Sequence, residues 1–337
     1  MKALICHSFG LPENLKIDEL EQPSIKSNQV LIEVKACGVN FPDTLIIQNK
    51  YQFKPELPFA PGGEVSGIAI EVGPEVKHVK KGDRVFALTG WGGFAEFVAA
   101  DAHKCLPVPE GMDFVTAATT MYNFGTSLFA LKQRANLQKG EKLLVLGASG
   151  GVGLAAVQIG KQMGAHVVAA ASSKEKLEIC LKAGADEVIN YSEQDLKETV
   201  KAMTDGEGFD VIYDPIGDQY AEPAVRSLAW GGRYLVIGFA AGAPSAIRMN
   251  LPLLKGASIV GVFWGAFAQK QPEESMRNFE QILQWIQQGK VKQHIYKEYP
   301  LEQGAQAIRD LMDRKVIGKN VVIFPENLKE QYEYPLH

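Results

Sequence analysis

Hydrophobic and polar positions follow two different rhythms along this chain. Up to about residue 122, apolar residues come in short runs broken by turn chemistry. Val30–Lys35 and Gly67–Val72 end in polar or Gly-Pro punctuation, which predicts β-strands, and Lys81–Phe86 and Ala95–Ala99 add two more. From residue 123 onward the pattern alternates. Strands are predicted at Lys142–Leu146, His166–Ala171, Glu187–Tyr191, Phe209–Asp214, Arg233–Phe239 and Ser258–Phe263. Helical stretches at Val152–Met163, Lys174–Ala183, Glu193–Met203, Ala221–Ala229 and Glu273–Gln288 lie between or after them. Near-continuous apolar strands alternating with helices predict a doubly wound parallel sheet covered on both faces. After Gly289 the text turns β-like again at Ile295–Tyr299, followed by a helix (Gln303–Arg314) and a last strand (Asn320–Phe324). The fold class is α/β. Residues 1–122 with 290–337 are expected to form a mostly β domain and 123–289 a parallel-sheet domain, with a cleft between them.

The length, 337 residues, suits two domains of about 150 residues each. Hydrophobic residues at 46% and charged residues at 22% exclude a disordered or fibrous chain. A net charge of −4 argues against nucleic acid or a membrane surface as partner. Cys6, Cys37, Cys105 and Cys180 are scattered without a C-x-x-C pair, so reduced thiols in a cytoplasmic setting are expected. Met1–His7 has neither the apolar region of a signal peptide nor an Arg-rich presequence. The uncharged run Leu143–Gly160 reaches the lower edge of a membrane span, but five of its residues are glycine. It reads as strand, turn and helix.

That turn, Gly147-Ala148-Ser149-Gly150-Gly151-Val152-Gly153, follows a strand and opens a helix. Unpaired backbone N–H groups and the positive helix end favour an anion there, and glycines admit a pyrophosphate to close approach. Two other readings compete with a dinucleotide site. One is a purely structural glycine turn. The other is a serine-hydrolase elbow, since Gly147-x-Ser149-x-Gly151 is G-x-S-x-G, with Asp214 and His294 as later acid and base. The extra glycines at Gly150 and Gly153 and the lack of an upstream His-Gly-Gly segment argue against the elbow. About 20 residues on, where a fold selective for NAD places a carboxylate, the chain reads Ala171-Ser172-Ser173-Lys174, with no carboxylate before Glu175. Hydroxyls and nearby cations suit a 2′-phosphate, so NADPH is the expected cofactor. Ser172, Lys176 and Tyr191 are the residues placed around it.

The combination of motifs resembles the medium-chain dehydrogenase/reductase superfamily, specifically its zinc-free quinone oxidoreductase branch. The resemblance rests on Ala36–Asp43, Pro61–Gly67, Val79–Val85, Gly147–Gly153, Ala183–Asp186 and Gly261–Gly265, and it covers nearly the whole chain. It implies a GroES-like catalytic domain from both chain ends around a Rossmann domain, as a homodimer. The edge for pairing with a twin would be the strand Ser258–Phe263. Cofactor contacts implied by the resemblance are Thr126, Ser149, Gly150, Gly151 and Val152, then Ile216, Gly217, Ile237, Gly238, Phe239 and Ala240. Val262, Phe263, Trp264, Gly265 and Asn320 complete the set, although Phe263 and Trp264 equally suit a core or a dimer edge.

Zinc members of the superfamily carry Cys where this chain has Asn40 and His where it has Gly63, and neither is a normal zinc ligand. The four-cysteine lobe is missing, and His7, His78, His103, His166, His294 and His337 lack ligand spacing. No metal is expected. Without a Lewis acid, hydride addition to a quinone or an α,β-unsaturated carbonyl is easier than alcohol oxidation, and one-electron reduction of an ortho-quinone stands open beside two-electron reduction of an enone. By the resemblance Asn40 and Tyr51 sit near the nicotinamide, with Tyr51 either a proton donor or an aromatic wall. Asp43 is a third polar candidate, or a group that fixes its own loop. Many relatives carry Tyr where this chain has Leu45. A nonenzymatic alternative remains, an NADPH-binding protein with a structural or RNA-binding role.

Overall fold

The structure, a computed structural model, describes residues 1–324. The stretch 325–337, assigned above to the first domain, lies outside the described residues. The chain divides into two compact units. One is Met1–Tyr122 together with the residues from Ile295 onward, and the other is Asn123–His294.

In the first unit β1 (Lys2–Ile5) and β2 (Lys16–Glu19) pair antiparallel. There follow β3 (Gln29–Gly38), α1 (Phe41–Ile46), β4 (Glu64–Val72), β5 (Arg84–Leu88), β6 (Phe97–Asp101), β7 (Cys105–Pro107) and α2 (Phe114–Ala117). The second unit takes α3 (Met121–Leu128) into β8 (Lys142–Val145), α4 (Gly151–Gln162), β9 (His166–Ala171), α5 (Lys174–Lys182) and β10 (Glu187–Asn190). Next come α6 (Leu196–Met203), β11 (Phe209–Asp214), α7 (Ala221–Arg226), β12 (Leu228–Val236), α8 (Asn250–Lys255), β13 (Ser258–Gly261), α9 (Trp264–Lys270) and α10 (Pro272–Gln287). The chain then returns to the first unit with β14 (Ile295–Pro300), α11 (Gly304–Met312) and β15 (Lys319–Ile323).

The second unit is a six-stranded parallel sheet in the order β10-β9-β8-β11-β12-β13. Counted from β8 this is the 3-2-1-4-5-6 order of a Rossmann domain, and the order reverses between β8 and β11. Leu144, Leu146, Val168, Ala170, Ile189 and Ile212 are buried in one core cluster, which is why the strands read as apolar runs. Leu143–Gly160, the uncharged run, divides into β8, the glycine turn and most of α4. Among the described residues no helix is long and apolar enough to cross a membrane.

The first unit's large sheet runs β14-β15-β3-β4-β5-β7, with β6 also on β3. Val30, Ile32 and Val34 of β3 join the main core, while Ala36 packs with Phe114, Ala118 and Val321 in a second cluster. Burial on both sides blurs the alternation expected of a half-exposed strand. β15 pairs antiparallel with β3, Val321 opposite Gly38 and Ile323 opposite Ala36. That register brings the residues before Val321 alongside Val39 and Asn40, at the mouth of α1.

Element ends depart from the sequence pattern where side chains intervene. The helix expected over Ala221–Ala229 stops at Arg226, and the next strand begins at Leu228, ahead of the expected Arg233. Ser227 donates its hydroxyl to Pro223 at 2.8 Å, its carbonyl accepts from Phe209, and Leu228 already pairs with Phe209. The α6 helix starts at Leu196, not Glu193, because Asp195 caps it by accepting the Glu198 N–H at 2.9 Å.

Candidate functional site

The first candidate site lies at the carboxyl ends of β8, β9, β11 and β12. The turn between β8 and α4 needs its glycines for two different reasons. Gly147 has φ +55°, in the left-handed region, and a Cβ there would stand 3.0 Å from Ile216. Gly151 and Gly153 leave room for close approach. A Cβ on Gly151 would lie 2.7 Å from both amide atoms of Asn123, and one on Gly153 would lie 2.4 Å from the Gly147 carbonyl oxygen. Gly150 occupies the N-cap of α4, and Ser149 is buried. Helix α3 backs the turn, with Ser127 donating its hydroxyl to the Val152 carbonyl at 2.9 Å and Thr126 beside it in the same helix. This turn suits a phosphate-bearing nucleotide, because it presents backbone N–H groups at the start of a twelve-residue helix and its glycines carry no side chain of their own.

The neighbouring strand ends are knitted together by Asp214, the last residue of β11. Its Oδ1 accepts the N–H groups of Ile216 and Gly217 at 2.7 and 2.9 Å, and its Oδ2 accepts the Tyr234 hydroxyl. Burial raises the Asp214 carboxyl, and these donors hold it back. The Ile237 N–H reaches the Asp214 carbonyl at 3.0 Å, and the Ala240 N–H reaches that of Pro215 at 3.0 Å. A Cβ on Gly217 would meet the Phe239 ring at 3.0 Å, and one on Gly238 would meet the Pro215 carbonyl oxygen at 3.3 Å. So Ile216, Gly217, Ile237, Gly238, Phe239 and Ala240 form one loop pair, and Ile216 touches the glycine turn. After β13, the Val262 N–H donates to Val236 at 3.1 Å. Gly265 and Trp264 open α9, and Trp264 is buried against Gly125 of α3 and edge-on to Phe279. Phe263 is half exposed.

At the end of β9 the Lys176 ammonium donates to the Ser172 hydroxyl at 3.3 Å. Ser173 caps α5 by accepting the Lys176 N–H. The Tyr191 N–H donates to the Ala171 carbonyl at 3.2 Å, and its ring leans on Tyr220 with centroids 4.9 Å apart. The structure therefore gathers Ser172, Lys176 and Tyr191 at one strand end, with no carboxylate on Ser172, Ser173 or Lys174.

The second candidate site is a buried polar cluster in the first unit. Asn40 precedes α1, and Asp43 folds back over it. The Asp43 carboxylate accepts the Asn40 N–H at 2.7 Å and the Gly62 N–H at 3.0 Å. Both Asn40 amide N–H groups are engaged, with the Gly38 carbonyl at 3.2 Å and Glu64 Oε2 at 3.0 Å. The Asn40 Oδ1 accepts from Lys319 Nζ at 2.6 Å. Lys319 also donates to the Val39 carbonyl at 2.9 Å and stands 3.6 Å from Glu64 Oε2. Glu64 Oε1 accepts the Tyr122 N–H at 3.0 Å.

Burial dominates the electrostatics of this cluster. It pushes Asp43 up to about 6, against its two N–H donors and the Lys319 charge. It raises Glu64 and lowers Lys319, while each one's charge holds the other ionised. Tyr51 is half-buried, edge-on to Phe53 at 5.9 Å, and its hydroxyl is raised by burial and by Asp43. It stays a phenol through neutral pH. Tyr122 is raised further, by burial first and then by Asp43, Tyr51 and Glu64.

Several placements were not visible in the sequence. Lys319 and Tyr122 carried no local signal, because their partners are far away in the chain. Glu64 lies within the Pro61–Gly67 motif, with nothing local to mark its partners. Asn320 lies within β15; it is 1% exposed and donates its amide to the Ala307 carbonyl at 2.9 Å. Its side chain faces α11 inside the first unit.

Other chemistries fit these residues poorly. Among the described residues no three His, Cys, Asp or Glu side chains are grouped to hold a metal ion. At the two positions that hold ligands in zinc members, Asn40 is bound to an ammonium, and a Cβ on Gly63 would strike the Gly90 backbone at 2.7 Å. A cation already bonded within the donor set repels a second. For a hydrolase, Asp214 is committed to its own turn and to Tyr234, and the charged neighbours of His294 are Lys182 and Lys292.

Comparison with known proteins agrees with this architecture. Residues 26–110 match the alcohol dehydrogenase GroES-like domain, and residues 151–287 match the zinc-binding dehydrogenase domain. Quinone oxidoreductase-like protein 2 of Bos taurus is 37% identical over 319 residues, covering 94% of this chain and 91% of that protein. Quinone oxidoreductase of Rattus norvegicus is 39% identical over 329 residues, covering 96% of this chain and 98% of that protein. Among solved structures, the Escherichia coli quinone oxidoreductase complexed with NADPH superposes with a TM-score of 0.90 at 29% identity, over 96% of this chain and 100% of that one. With likeness over nearly its whole length and both domain types in place, the chain belongs to the quinone oxidoreductase branch of the medium-chain dehydrogenase/reductase superfamily.

Proposed function

We propose that the protein is an NADPH-dependent reductase of quinones or α,β-unsaturated carbonyls that works without a catalytic metal. The observation that carries the coenzyme choice is the Lys176–Ser172 contact at the end of β9. A cation and a hydroxyl stand where an NAD-selective fold would present a carboxylate to the ribose. The NADPH complex of the Escherichia coli relative supports the same choice.

The bound nicotinamide supplies the hydride, and solvent or a protein group supplies the proton that completes a hydroquinone or a saturated carbonyl. The loop pair Ile216–Gly217 and Ile237–Ala240 lines the nucleotide beside the glycine turn, with Val262 and Gly265 at the next strand end. Trp264 supports that wall from within the core. Tyr51, kept protonated by burial, donates a hydrogen bond to the acceptor oxygen as charge develops there. Asn40 and Asp43 are positioning residues in this reading, because their hydrogen bonds are spent within the loop. Asn320 braces β15 against α11. The partner is a small molecule, and a second copy of the chain is proposed to cover the β13 edge. Trp230 in β12, and Met249, Leu253 and Leu254 at and in α8, the helix that leads into β13, are 81%, 73%, 77% and 70% exposed, apolar side chains that a dimer at this end of the sheet would cover.

The test is a parallel titration of NADPH and NADH with the wild type and Lys176→Ala. The wild type should bind NADPH at least about tenfold tighter, and the substitution should remove most of that preference, since a charge-assisted hydrogen bond contributes about 1.5–3 kcal/mol. Equal losses for both coenzymes would refute the role of Lys176.

A further inference from the structure

We infer that Asn123 donates a hydrogen bond to a pyrophosphate oxygen of the bound dinucleotide. The inference rests on the NADPH reading above and assigns it a residue that no motif marks. Asn123 lies in α3 and is 3% exposed, and its Nδ2 is buried with no hydrogen-bond partner among the described residues. A buried donor left unpaired destabilises a fold, so native structures rarely keep one. This one lies against Gly151, the first residue of α4, where a Cβ would come within 2.7 Å of both its amide atoms.

Its placement is fixed from two sides. Four residues further along α3, Ser127 donates to the Val152 carbonyl at 2.9 Å, and Ser127 Oγ lies 2.9 Å from the Tyr213 hydroxyl. Residues four apart share a helix face, so the same face that clamps α3 to the turn holds the Asn123 amide beside it. The amide therefore adds an uncharged donor to the N–H groups at the start of α4. A phosphate oxygen is the acceptor those donors share. No group among the described residues accepts from Nδ2, and a phosphate oxygen would supply the acceptor.

The experiment measures two quantities on Asn123→Ala and Asn123→Asp. The first is the melting temperature of the nucleotide-free protein. The second is affinity for NADPH and for 2′-phospho-ADP-ribose, which keeps the pyrophosphate and lacks the nicotinamide. Asn123→Ala should melt at or above the wild-type temperature and bind both ligands about tenfold more weakly. Asn123→Asp should bind both more weakly still, because its carboxylate would face a phosphate. Affinity within about twofold of wild type for Asn123→Ala would overturn the assignment. So would a lower melting temperature with unchanged binding, which marks a structural role, or a loss confined to NADPH, which places the acceptor on the nicotinamide side. A wild-type protein that binds neither ligand would instead overturn the cofactor reading, and this inference with it.

Discussion

Lys319 Nζ stands 2.6 Å from Asn40 Oδ1, across 279 residues of sequence, at a position that in zinc members of the superfamily holds a metal ligand. The same ammonium lies 3.6 Å from the fully buried Glu64. An internal cation thus balances a carboxylate that would otherwise be isolated in the core. Removing one member of a buried pair strands the other, at a cost of about 3–5 kcal/mol. Lys319→Met should therefore lower the denaturant midpoint strongly, and Lys319→Met with Glu64→Gln should recover part of the loss. Wild-type unfolding of the single variant would show that the pair is not the anchor of this loop.

Asp43 gives the cluster a pH dependence with a definite sign. Its carboxyl is raised from 3.8 to about 6 in the folded protein, mainly by burial. The folded state binds this proton more tightly than the unfolded state, so its contribution is fully present below about pH 4 and is lost as pH rises through about 6. Asp43→Asn does not titrate. Urea unfolding at pH 5 and pH 8 should show the wild type losing stability relative to Asp43→Asn over that interval. Parallel curves for the two proteins would place the Asp43 titration elsewhere.

The sequence pattern revealed the second unit well because its central strands β8, β9 and β11 are almost wholly buried and its helices alternate with them. Residues near one another in the chain, such as Ser172 with Lys176 or Gly147 with Gly153, could be grouped by spacing alone. Lys319 could not. It reaches Asn40 only because β15 pairs with β3, a register that no local rhythm encodes. Asn123 was invisible for a related reason, since an amide in a short helix is ordinary until the glycine turn is found against it. Asn320 is the converse case: family likeness pointed to the cofactor, and in the structure its amide donates to the Ala307 carbonyl.

Tyr51→Phe tests the proton-donor role. Burial and Asp43 keep the Tyr51 phenol protonated, and the substitution removes only its hydroxyl. Turnover should fall about tenfold or more, with little change in NADPH affinity, as expected when a positioned general acid is lost. Unchanged turnover would leave Tyr51 as part of an aromatic wall with Phe53.

The exposed surface of Trp230, Met249, Leu253 and Leu254 should be covered in solution. Sedimentation of the wild type should give a dimer, and Leu253→Glu should shift it toward monomer without unfolding, since Leu253 is 77% exposed. A wild-type monomer at micromolar concentration would contradict the proposed β13 interface.

The most direct test of the account is protein-dependent oxidation of NADPH, with NADH in parallel, against ortho-quinone, para-quinone, enone and enal acceptors, before and after exhaustive chelation. The account predicts turnover with NADPH on at least one acceptor class, weaker turnover with NADH, and no loss on chelation. Activity lost with chelator and restored by zinc would contradict it, as would tight NADPH binding with no turnover across the panel.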